Sequence, residues 1–235
     1  MKNQLNSKGQ KTGLWVDKNL RGKITLETNY INGVKDGIEI SYYTSYKRKQ
    51  YIDKYKNGKL HGASVSFFNK AGSPIESKGE YLNGKKHGKW LEKHDDFFRH
   101  NEGTYVNGEK HGHWTEQNPG GYNFKGFYCN DKKEGAWVSI SYPLDLPNKS
   151  PIYNIEYYKE GKLDFVSISF HENGKVSSFK EYQEGKSHGK FYTNSNDGSR
   201  YEGGNYQNDK KEGEWIEYIF DGKFVKRNYK NGKQI

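Results

Sequence analysis

Residues 81–90 read YLNGKKHGKW, and this stretch decides the fold because it recurs along the chain. Similar stretches begin at 30, 55, 105, 128, 158, 182 and 206, with a degenerate first copy at 6 and a truncated last copy at 229. The intervals between successive starts are 24, 25, 26, 24, 23, 30, 24, 24 and 23 residues. A nearly constant period of this size is typical of a repeat protein whose units pack on their neighbours. The sequence therefore predicts one repeat array over 6–235, with 229–235 as a closing half-unit, after an N-terminal lead of 1–5.

Each repeat has the signals of two strands and two turns. Asn-Gly, as in Asn83-Gly84, accepts the positive φ angles of a tight hairpin turn, and a second glycine such as Gly88 follows four residues later. Aromatic and β-branched residues then alternate with polar ones, and no stretch keeps the period of a helix. We expect an all-β fold: an elongated, twisted antiparallel meander of stacked β-hairpins with about eighteen strands, either single-layered or curled.

The chain is basic and poor in aliphatic residues, but it is rich in aromatic ones. Its formal net charge is +10, only 31% of its residues are hydrophobic, and 16% are aromatic. The aromatic content favours a narrow folded core over disorder, and the charge favours an acidic partner. Cys129 is the only cysteine, so we expect neither a disulfide framework nor a thiolate zinc site. Because no apolar run could span a bilayer and the N-terminus lacks a secretory pattern, we expect a cytoplasmic protein.

The repeat pattern is Tyr-x-Asn-Gly-Lys-x-His-Gly-x-Trp, and in several copies a glycine stands two residues before the tyrosine, as Gly79, Gly103, Gly126 and Gly204 do. This pattern resembles the MORN repeat over nearly the whole chain, and in particular the bacterial variant found in proteins labelled as antitoxin components of toxin–antitoxin systems. The resemblance implies stacked MORN-like hairpins that serve as scaffolds, dimerisation surfaces, lipid-proximal modules or antitoxin-like proteins. The chain departs from the pattern at the closing glycine (Phe165), the turn glycine (Asp131, Asp209) and the tryptophan (Glu39, Ser64, Ser167, Phe191).

The repeated side chains are predicted to be structural. The repeat positions are represented by Tyr81, Gly84, His87, Gly88 and Trp90, and the tryptophan position recurs as Trp114, Trp137 and Trp215. The histidine position holds Asp, Glu or Thr in other units, which fits a polar side chain that caps backbone amides better than an acid–base catalyst. We expect the tryptophans to stack into a narrow core or to line one face, with partner binding as the alternative.

No catalytic residue, metal site or cofactor is expected. Equivalent histidines in neighbouring hairpins would lie ~9–10 Å apart, too far to share one zinc ion. A metal site built from His94, Asp95, Asp96 and His100 is the alternative to a solvated turn in that segment. No phosphate loop, GxSxG, HExxH or paired-cysteine spacing occurs, so an enzyme would need a constellation of irregular positions.

The longest irregularity is an insertion, SYPLDLPNKSPIY at 141–153, in the unit that begins at 128. Insertions in a repeat array project from one edge and often serve recognition. Leu144, Asp145 and Leu146 are therefore candidate partner-binding residues. A tolerated surface insertion without a binding role is the alternative.

Two turns supply further candidates for partner binding. Lys47, Arg48 and Lys49 form a basic cluster that could contact phosphates or, alternatively, keep sheet edges from pairing. Phe97 and Phe98 are adjacent aromatic residues that serve either packing or binding.

The leading functional prediction is a non-enzymatic protein-binding module, an antitoxin-, immunity- or inhibitor-like protein that neutralises an effector by direct binding, as the resemblance implies. A protein partner with an acidic surface is expected. The alternative is a basic scaffold that binds nucleic acid or anionic membrane lipid, because lysine recurs beside the hairpin turns at 59, 85, 132, 162, 186 and 210. Glutamates alternate with these lysines, and no RNA-binding aromatic motif occurs, which favours the protein partner.

Overall fold

The structure is a computed structural model that describes residues 2–45, 47–94, 99–118, 122–141, 152–220 and 223–235. The described residues form twenty strands and no helix. The strands make one antiparallel sheet in which strands that follow each other in the sequence pair. The expected all-β meander of hairpins is confirmed, with a two-residue strand at each end beyond the eighteen expected. The chain divides into two compact units, Met1–His111 and Gly112–Ile235, which are described separately.

The strands follow one another in chain order and most are eight or nine residues long. The first unit contains β1 (Gln4–Leu5), β2 (Lys11–Lys18), β3 (Ile24–Ile31), β4 (Val34–Tyr42), β5 (Lys49–Lys56), β6 (Lys59–Phe67), β7 (Ile75–Leu82), β8 (Lys85–Lys93) and β9 (His100–Val106). The boundary falls within β10 (Glu109–Gln117). The second unit continues with β11 (Tyr122–Cys129), β12 (Lys132–Ser141), β13 (Ile152–Lys159), β14 (Lys162–Phe170), β15 (Val176–Gln183), β16 (Lys186–Asn194), β17 (Arg200–Gln207), β18 (Lys210–Phe220), β19 (Lys223–Lys230) and β20 (Lys233–Gln234).

The tight turns follow directly from the repeated dipeptide. In the turn between β7 and β8, Asn83 and Gly84 have φ angles of 52° and 86°, and Leu82 pairs with Lys85. Positive φ at both central residues defines the type I′ turn, whose twist matches that of the flanking strands. Asn130-Asp131 and Glu160-Gly161 adopt the same conformation, so departures from Asn-Gly leave the turn type unchanged.

The second glycine of the repeat lies in a bulge. On β7, Lys78 pairs with Leu91 and Glu80 pairs with His87, so three residues of β8 face Gly79 alone. Gly88, the first of the three to follow His87, has φ 68°, a left-handed conformation that costs least for glycine. The same register shift recurs in later hairpins, for example between Lys125 and Phe127 on β11. The bulge explains why a glycine is repeated at a position that lies within a strand.

Most of the core is a single layer of side chains on one face of the sheet. Its largest buried rings are Trp90 and Tyr105 in the first unit, and Trp114, Tyr128, Trp137 and Trp215 in the second. Neighbouring rings meet edge to face, with centroids 4.9 Å apart for Tyr128 and Trp137. We call this side of each unit the tryptophan face and the other side the reverse face. Aromatic rings thus provide the burial that the few aliphatic residues cannot.

Candidate partner-binding surface

Trp90 of the core is held by three kinds of contact. A Cβ atom on Gly79 would lie 2.2 Å from the Trp90 ring, so only glycine leaves room for the indole. The Trp90 indole N–H donates a hydrogen bond to the backbone oxygen of Glu80 at 3.0 Å. The Lys86 ammonium lies 4.4 Å from the ring centroid of Trp90 and 5.0 Å from that of Tyr105. Glycine, lysine and tryptophan therefore recur together because one packing arrangement needs all three.

The same arrangement is found in the second unit. Gly126 and Gly204 lie against Trp137 and Trp215, at 2.3 and 2.4 Å from the ring for an added Cβ. Lys133 and Lys211 lie 4.2 and 4.0 Å from the respective ring centroids. Trp215 is 0% exposed, and its N–H donates to a backbone oxygen at 3.1 Å. These contacts leave the edges and faces of the tryptophans inaccessible to a partner.

Three of the four repeats that lack tryptophan have a polar residue at its position (Glu39, Ser64 and Ser167), and the fourth has Phe191, which stacks on Trp215. Glu39 stands at the tryptophan position of the repeat that begins at residue 30, and it is 1% exposed. Thr28 Oγ1 and Tyr51 Oη donate hydrogen bonds to its carboxylate at 2.9 and 3.3 Å, and Lys35 forms an ion pair with it. A buried carboxylate with an ion pair and two donors is satisfied, so this cluster substitutes for the aromatic packing rather than exposing a reactive group.

Asp53 lies directly opposite Glu39 in the register of β4 and β5. Burial raises the pKa of the Asp53 carboxyl above its ordinary value, and the charge of Glu39 adds to the increase, although a hydrogen bond from Ser64 Oγ at 2.6 Å opposes it. Burial and the two carboxylates also raise the pKa of Tyr55 to about 12. The electrostatics of this cluster are therefore those of a desolvated structural site.

Side chains at the position of the repeated histidine make contacts between successive hairpins. Where the residue is acidic, its carboxylate accepts a hydrogen bond from the first turn amide of the next hairpin. The pairs are Asp36 with Asn57 (3.0 Å), Glu134 with Glu160 (2.9 Å), Asp164 with Glu184 (3.0 Å) and Glu212 with Asn231 (2.7 Å). In the first unit His61 Nδ1 lies 3.3 Å from Asn83 Oδ1 of the next turn. The four carboxylate contacts have the geometry of amide capping, which needs only a short polar side chain. The histidines differ: His61 meets a side-chain oxygen, and the buried Nδ1 atoms of His87 and His188 have no hydrogen-bond partner.

Some of the predicted binding residues can be located. Lys47 and Lys49 are exposed and Arg48 is half-buried, with its backbone oxygen accepting a hydrogen bond from the Tyr43 amide at 2.9 Å. Five predicted residues lie outside the described part of the chain, as do two members of the alternative metal site. They are Leu144, Asp145, Leu146, Phe97, Phe98, Asp95 and Asp96. Among the described residues, no group of three His, Cys, Asp or Glu side chains is placed to hold a metal ion.

The reverse face of the second unit bears an apolar row that crosses five strands. Val138 pairs with Ile155, Ile155 with Ile168, and Ile168 with Phe179. Phe179 pairs in turn with Tyr192, and their rings stack at 4.9 Å. All five side chains are only half-buried. We call these five residues the reverse-face patch.

The first unit has a smaller apolar area on its own reverse face. A groove of about 600 Å³ has Ile52, Val65 and Leu91 on its floor, and Lys78 and Glu102 among its lining residues. These five residues share one row because Ile52 pairs with Val65, Val65 with Lys78, Lys78 with Leu91, and Leu91 with Glu102. Charged side chains therefore interrupt this row, whereas the row of the second unit is continuous.

A cavity of about 610 Å³ lies in the second unit beside the turns that join β14 to β15 and β16 to β17. Tyr122 and Tyr153, whose ring centroids are 5.1 Å apart, line it together with Phe170, His171 and Asn173. His171 Nε2 is within 2.8 Å of the backbone oxygen of Asn194, and Asn173 Nδ2 donates to that of Asn196 at 2.7 Å. Its polar side chains are thus largely engaged in connecting adjacent turns.

The sequence interpretation did not identify the reverse-face patch. Val138, Ile168 and Tyr192 come from the position after the tryptophan position, which is Val, Ile or Leu in most repeats but never one repeated letter. Ile155 and Phe179 come from a position that varies between apolar and charged residues, so a search for repeated letters passes over the patch. The usable signal is the alternation within single strands, as in Val166, Ile168 and Phe170 of β14 or Ile155 and Tyr157 of β13. Alternation shows that one face is apolar, but only strand register shows that the apolar residues are neighbours.

No protein-family model matches this chain, and no curated protein matches it. The similarity of its pattern to the MORN repeat therefore stays a prediction from the residues. The described residues form no helix with the length and apolar character that crossing a bilayer requires.

Proposed function

We propose that this chain is a non-enzymatic protein-binding repeat module, an antitoxin-, immunity- or inhibitor-like protein that neutralises an effector by direct binding in the cytoplasm. The reverse-face patch is the observation on which the proposal depends. A continuous apolar row on a half-exposed sheet face is the kind of surface that protein partners cover. The resemblance of the repeat to bacterial antitoxin-type arrays points to the same role.

The repeated polar groups add support because they already have structural tasks. Lys86 and Lys211 contact tryptophan rings, Glu212 caps a turn amide, and Glu39 is paired with Lys35. A group that is committed to packing or capping is poorly suited to act as a nucleophile or an acid–base catalyst. The residues that recur most often therefore favour an array that presents a surface.

The test is purification of the affinity-tagged full chain from its native cells. We expect a protein to co-purify at a fixed stoichiometry and to lose its activity when it is bound to this chain. A Leu144→Asp and Leu146→Asp double variant tests whether the insertion contributes, and unchanged affinity would remove the insertion from the binding surface. A purified chain with no stoichiometric protein, or a partner that stays fully active in the complex, would refute the proposal.

A second candidate function is a basic scaffold for nucleic acid or anionic membrane lipid. The observation in its favour is a column of exposed lysines at one repeat position of the second unit, namely Lys132, Lys162, Lys186, Lys210 and Lys233. Because successive hairpins are ~10 Å apart, such a column would form a positive stripe. Binding to oligonucleotides or to phosphatidylserine vesicles should then weaken steeply with salt, whereas a flat response would exclude this function.

A further inference from the structure

The row of the reverse-face patch continues beyond Tyr192 to the last long strand of the second unit. Tyr192 pairs with Gly203, Gly203 with Ile216, and Ile216 with Lys226. Ile216 is on the reverse face because it follows Trp215, whose ring is buried in the core. One row of reverse-face positions therefore crosses the eight strands from β12 to β19, and its charged residue is Lys226 at the far end.

Exposed aromatic rings lie beside this row. Tyr218 stands two positions after Ile216 and is on the same face, and its ring centroid is 5.2 Å from that of Tyr201 and 5.6 Å from that of Phe224. Tyr201 and Phe224 are 49% and 50% exposed. The reverse face of the second unit is therefore apolar over more than one row, and rings on it remain open to solvent.

Two residues of opposite charge lie near the middle of this face, on the neighbouring strands β15 and β16. Phe191 stacks on the core ring of Trp215 with centroids 5.6 Å apart, so the preceding residue, Lys190, is on the reverse face. The Lys180 ammonium lies 5.8 Å from the Phe191 ring centroid, so Glu181, which follows Lys180, is on the reverse face as well.

The charges of this face nearly cancel. Glu214 forms an ion pair with Lys226 at 3.0 Å, and Glu181 balances Lys190. Arg200 adds one positive charge at the start of β17, where its guanidinium lies 3.6 Å from the ring centroid of Tyr192 in the patch. Because the whole chain has a net charge of +10, two copies repel each other least when they approach through this face.

The face is also complementary to itself. A two-fold axis that runs along the strands, between β15 and β16, exchanges β12 with β19 and β14 with β17 of the other copy. It brings an apolar residue opposite an apolar residue, a bulky residue opposite a glycine, and an acid opposite a base. These facing pairs are Ile155 with Ile216, Ile168 with Gly203, and Glu181 with Lys190.

The area is that of an ordinary interface. Eight strands about 4.8 Å apart, with three residues of one face about 6.7 Å apart on each, span roughly 38 Å by 20 Å. Two such faces in contact bury roughly 700 Å² on each copy, close to the about 800 Å² per partner of a standard protein interface.

We propose that the free protein forms a symmetric dimer in which the reverse faces of two second units pack together as the two layers of a β-sandwich. A sheet with a second apolar face is stabilised by a second layer about 10 Å away, and another copy of the same sheet provides one. The inference goes beyond the proposed function because it concerns the chain without its effector. An effector that covers the reverse-face patch then replaces the second copy.

The first measurement is sedimentation equilibrium of the full chain from about 1 μM to about 0.5 mM, since an interface of this size corresponds to micromolar or tighter affinity. We expect a monomer–dimer equilibrium. Raising the NaCl concentration from about 0.05 M to about 0.5 M should tighten the dimer, because salt screens the repulsion between two copies of charge +10. A dimer that dissociates as salt is added would overturn the nearly neutral apolar interface.

A second measurement locates the interface in the wild-type dimer. Ile155 in β13 and Ile216 in β18 are five strands apart, roughly 24 Å within one copy, which is too far for a nuclear Overhauser contact between their methyl groups. An isotope-filtered experiment on mixed labelled and unlabelled chains should show this contact between copies. A dimer that lacks it would overturn the proposed arrangement.

One substitution on each unit provides a matched pair. Ile168→Arg places a guanidinium within the apolar interface and should weaken dimerisation about 100-fold or more. Val65→Arg is the control, because Val65 is half-buried at the same repeat position of the first unit, after Ser64 as Ile168 follows Ser167. It should dimerise normally, and melting temperatures show that both variants fold. Equal effects of the two variants on dimerisation would overturn the assignment to the second unit.

A charge exchange tests the position of the axis. Glu181→Lys should weaken the dimer about fivefold, because two pairs of opposite charge become pairs of like charge. Adding Lys190→Glu makes the facing charges opposite again and should restore the affinity. A double variant that dimerises no better than Glu181→Lys would overturn this axis.

The dimer and the proposed function can fail separately. A chain that stays monomeric at every concentration overturns the dimer, and it leaves the proposed function standing if an effector co-purifies. A dimer with the expected methyl contact, from cells in which no effector is found, supports the dimer and refutes the proposed function.

Discussion

Replacing Gly204 with alanine should destabilise the protein because the Trp215 ring occupies the space that a Cβ atom needs. The added atom would lie 2.4 Å from two ring atoms, about 1 Å closer than an ordinary contact between carbon atoms. Trp215 is completely buried, so the indole cannot move without losing contacts on its other side.

Three costs add to the expected loss. Overpacking of a buried site costs about 1–3 kcal/mol. Displacement of the indole weakens its hydrogen bond to the Asn205 backbone oxygen, worth about 1 kcal/mol, and its contact with the Lys211 ammonium, worth about 0.5–1 kcal/mol. We expect a total near 3 kcal/mol, or a fall in melting temperature of about 6–12 °C if the unit melts cooperatively.

Urea unfolding followed by circular dichroism measures the loss, and the neighbouring Gly203 provides the matched control. An added Cβ on Gly203 would lie 3.2 Å from its nearest neighbour, so Gly203→Ala should cost far less than Gly204→Ala. In a Trp215→Ala background the clash is absent, and Gly204→Ala should become neutral or stabilising because alanine has less freedom than glycine in the unfolded chain. Equal costs for both glycines, or a Gly204→Ala penalty that persists without Trp215, would refute this reasoning.

Three further predictions concern the polar contacts of the repeats. Glu212→Ala should speed hydrogen exchange of the Asn231 amide and cost about 1 kcal/mol, whereas Glu212→Gln keeps an acceptor and should change little. Because the pKa of Asp53 in the folded protein lies above its ordinary value of 3.8, stability should fall as pH rises through the interval between the two values; Asp53→Asn should remove this part of the pH profile, and an unchanged profile would contradict the assignment. Lys211→Met removes a cation–π contact and two ion pairs and should cost about 1–2 kcal/mol in urea unfolding, while Lys226→Met, which breaks an exposed ion pair, should cost less than about 0.5 kcal/mol.

The hairpins could be predicted because each is encoded locally. Asn-Gly imposes its turn wherever it occurs, and Glu160 and Asp131 adopt the same positive φ because the flanking strands are already in register. At the histidine position, amide capping describes the carboxylates, such as Asp36 and Glu212. His61 lies instead against the side-chain oxygen of Asn83, and a capping role for the histidines stays a prediction.

Features that depend on register between strands could not be predicted. Gly79 recurs because Trp90 covers it from another strand, a relation that the spacing within one repeat does not reveal. The reverse-face patch has the same origin, because Val138 and Ile155 belong to strands separated by the insertion. The second turn of the repeat, unlike the Asn-Gly turn, varies in length. The sequence alone therefore does not show which residues pair across it.

The central claim is that the tryptophan face holds the array together while the reverse face of the second unit binds a protein partner. One nuclear magnetic resonance titration of the labelled full chain with its co-purified partner tests both parts. The methyl signals of Val138, Ile155 and Ile168 should shift or broaden on binding, while the indole N–H signals of Trp137 and Trp215 stay in place. Shifted indole signals with unchanged methyl signals would contradict the claim.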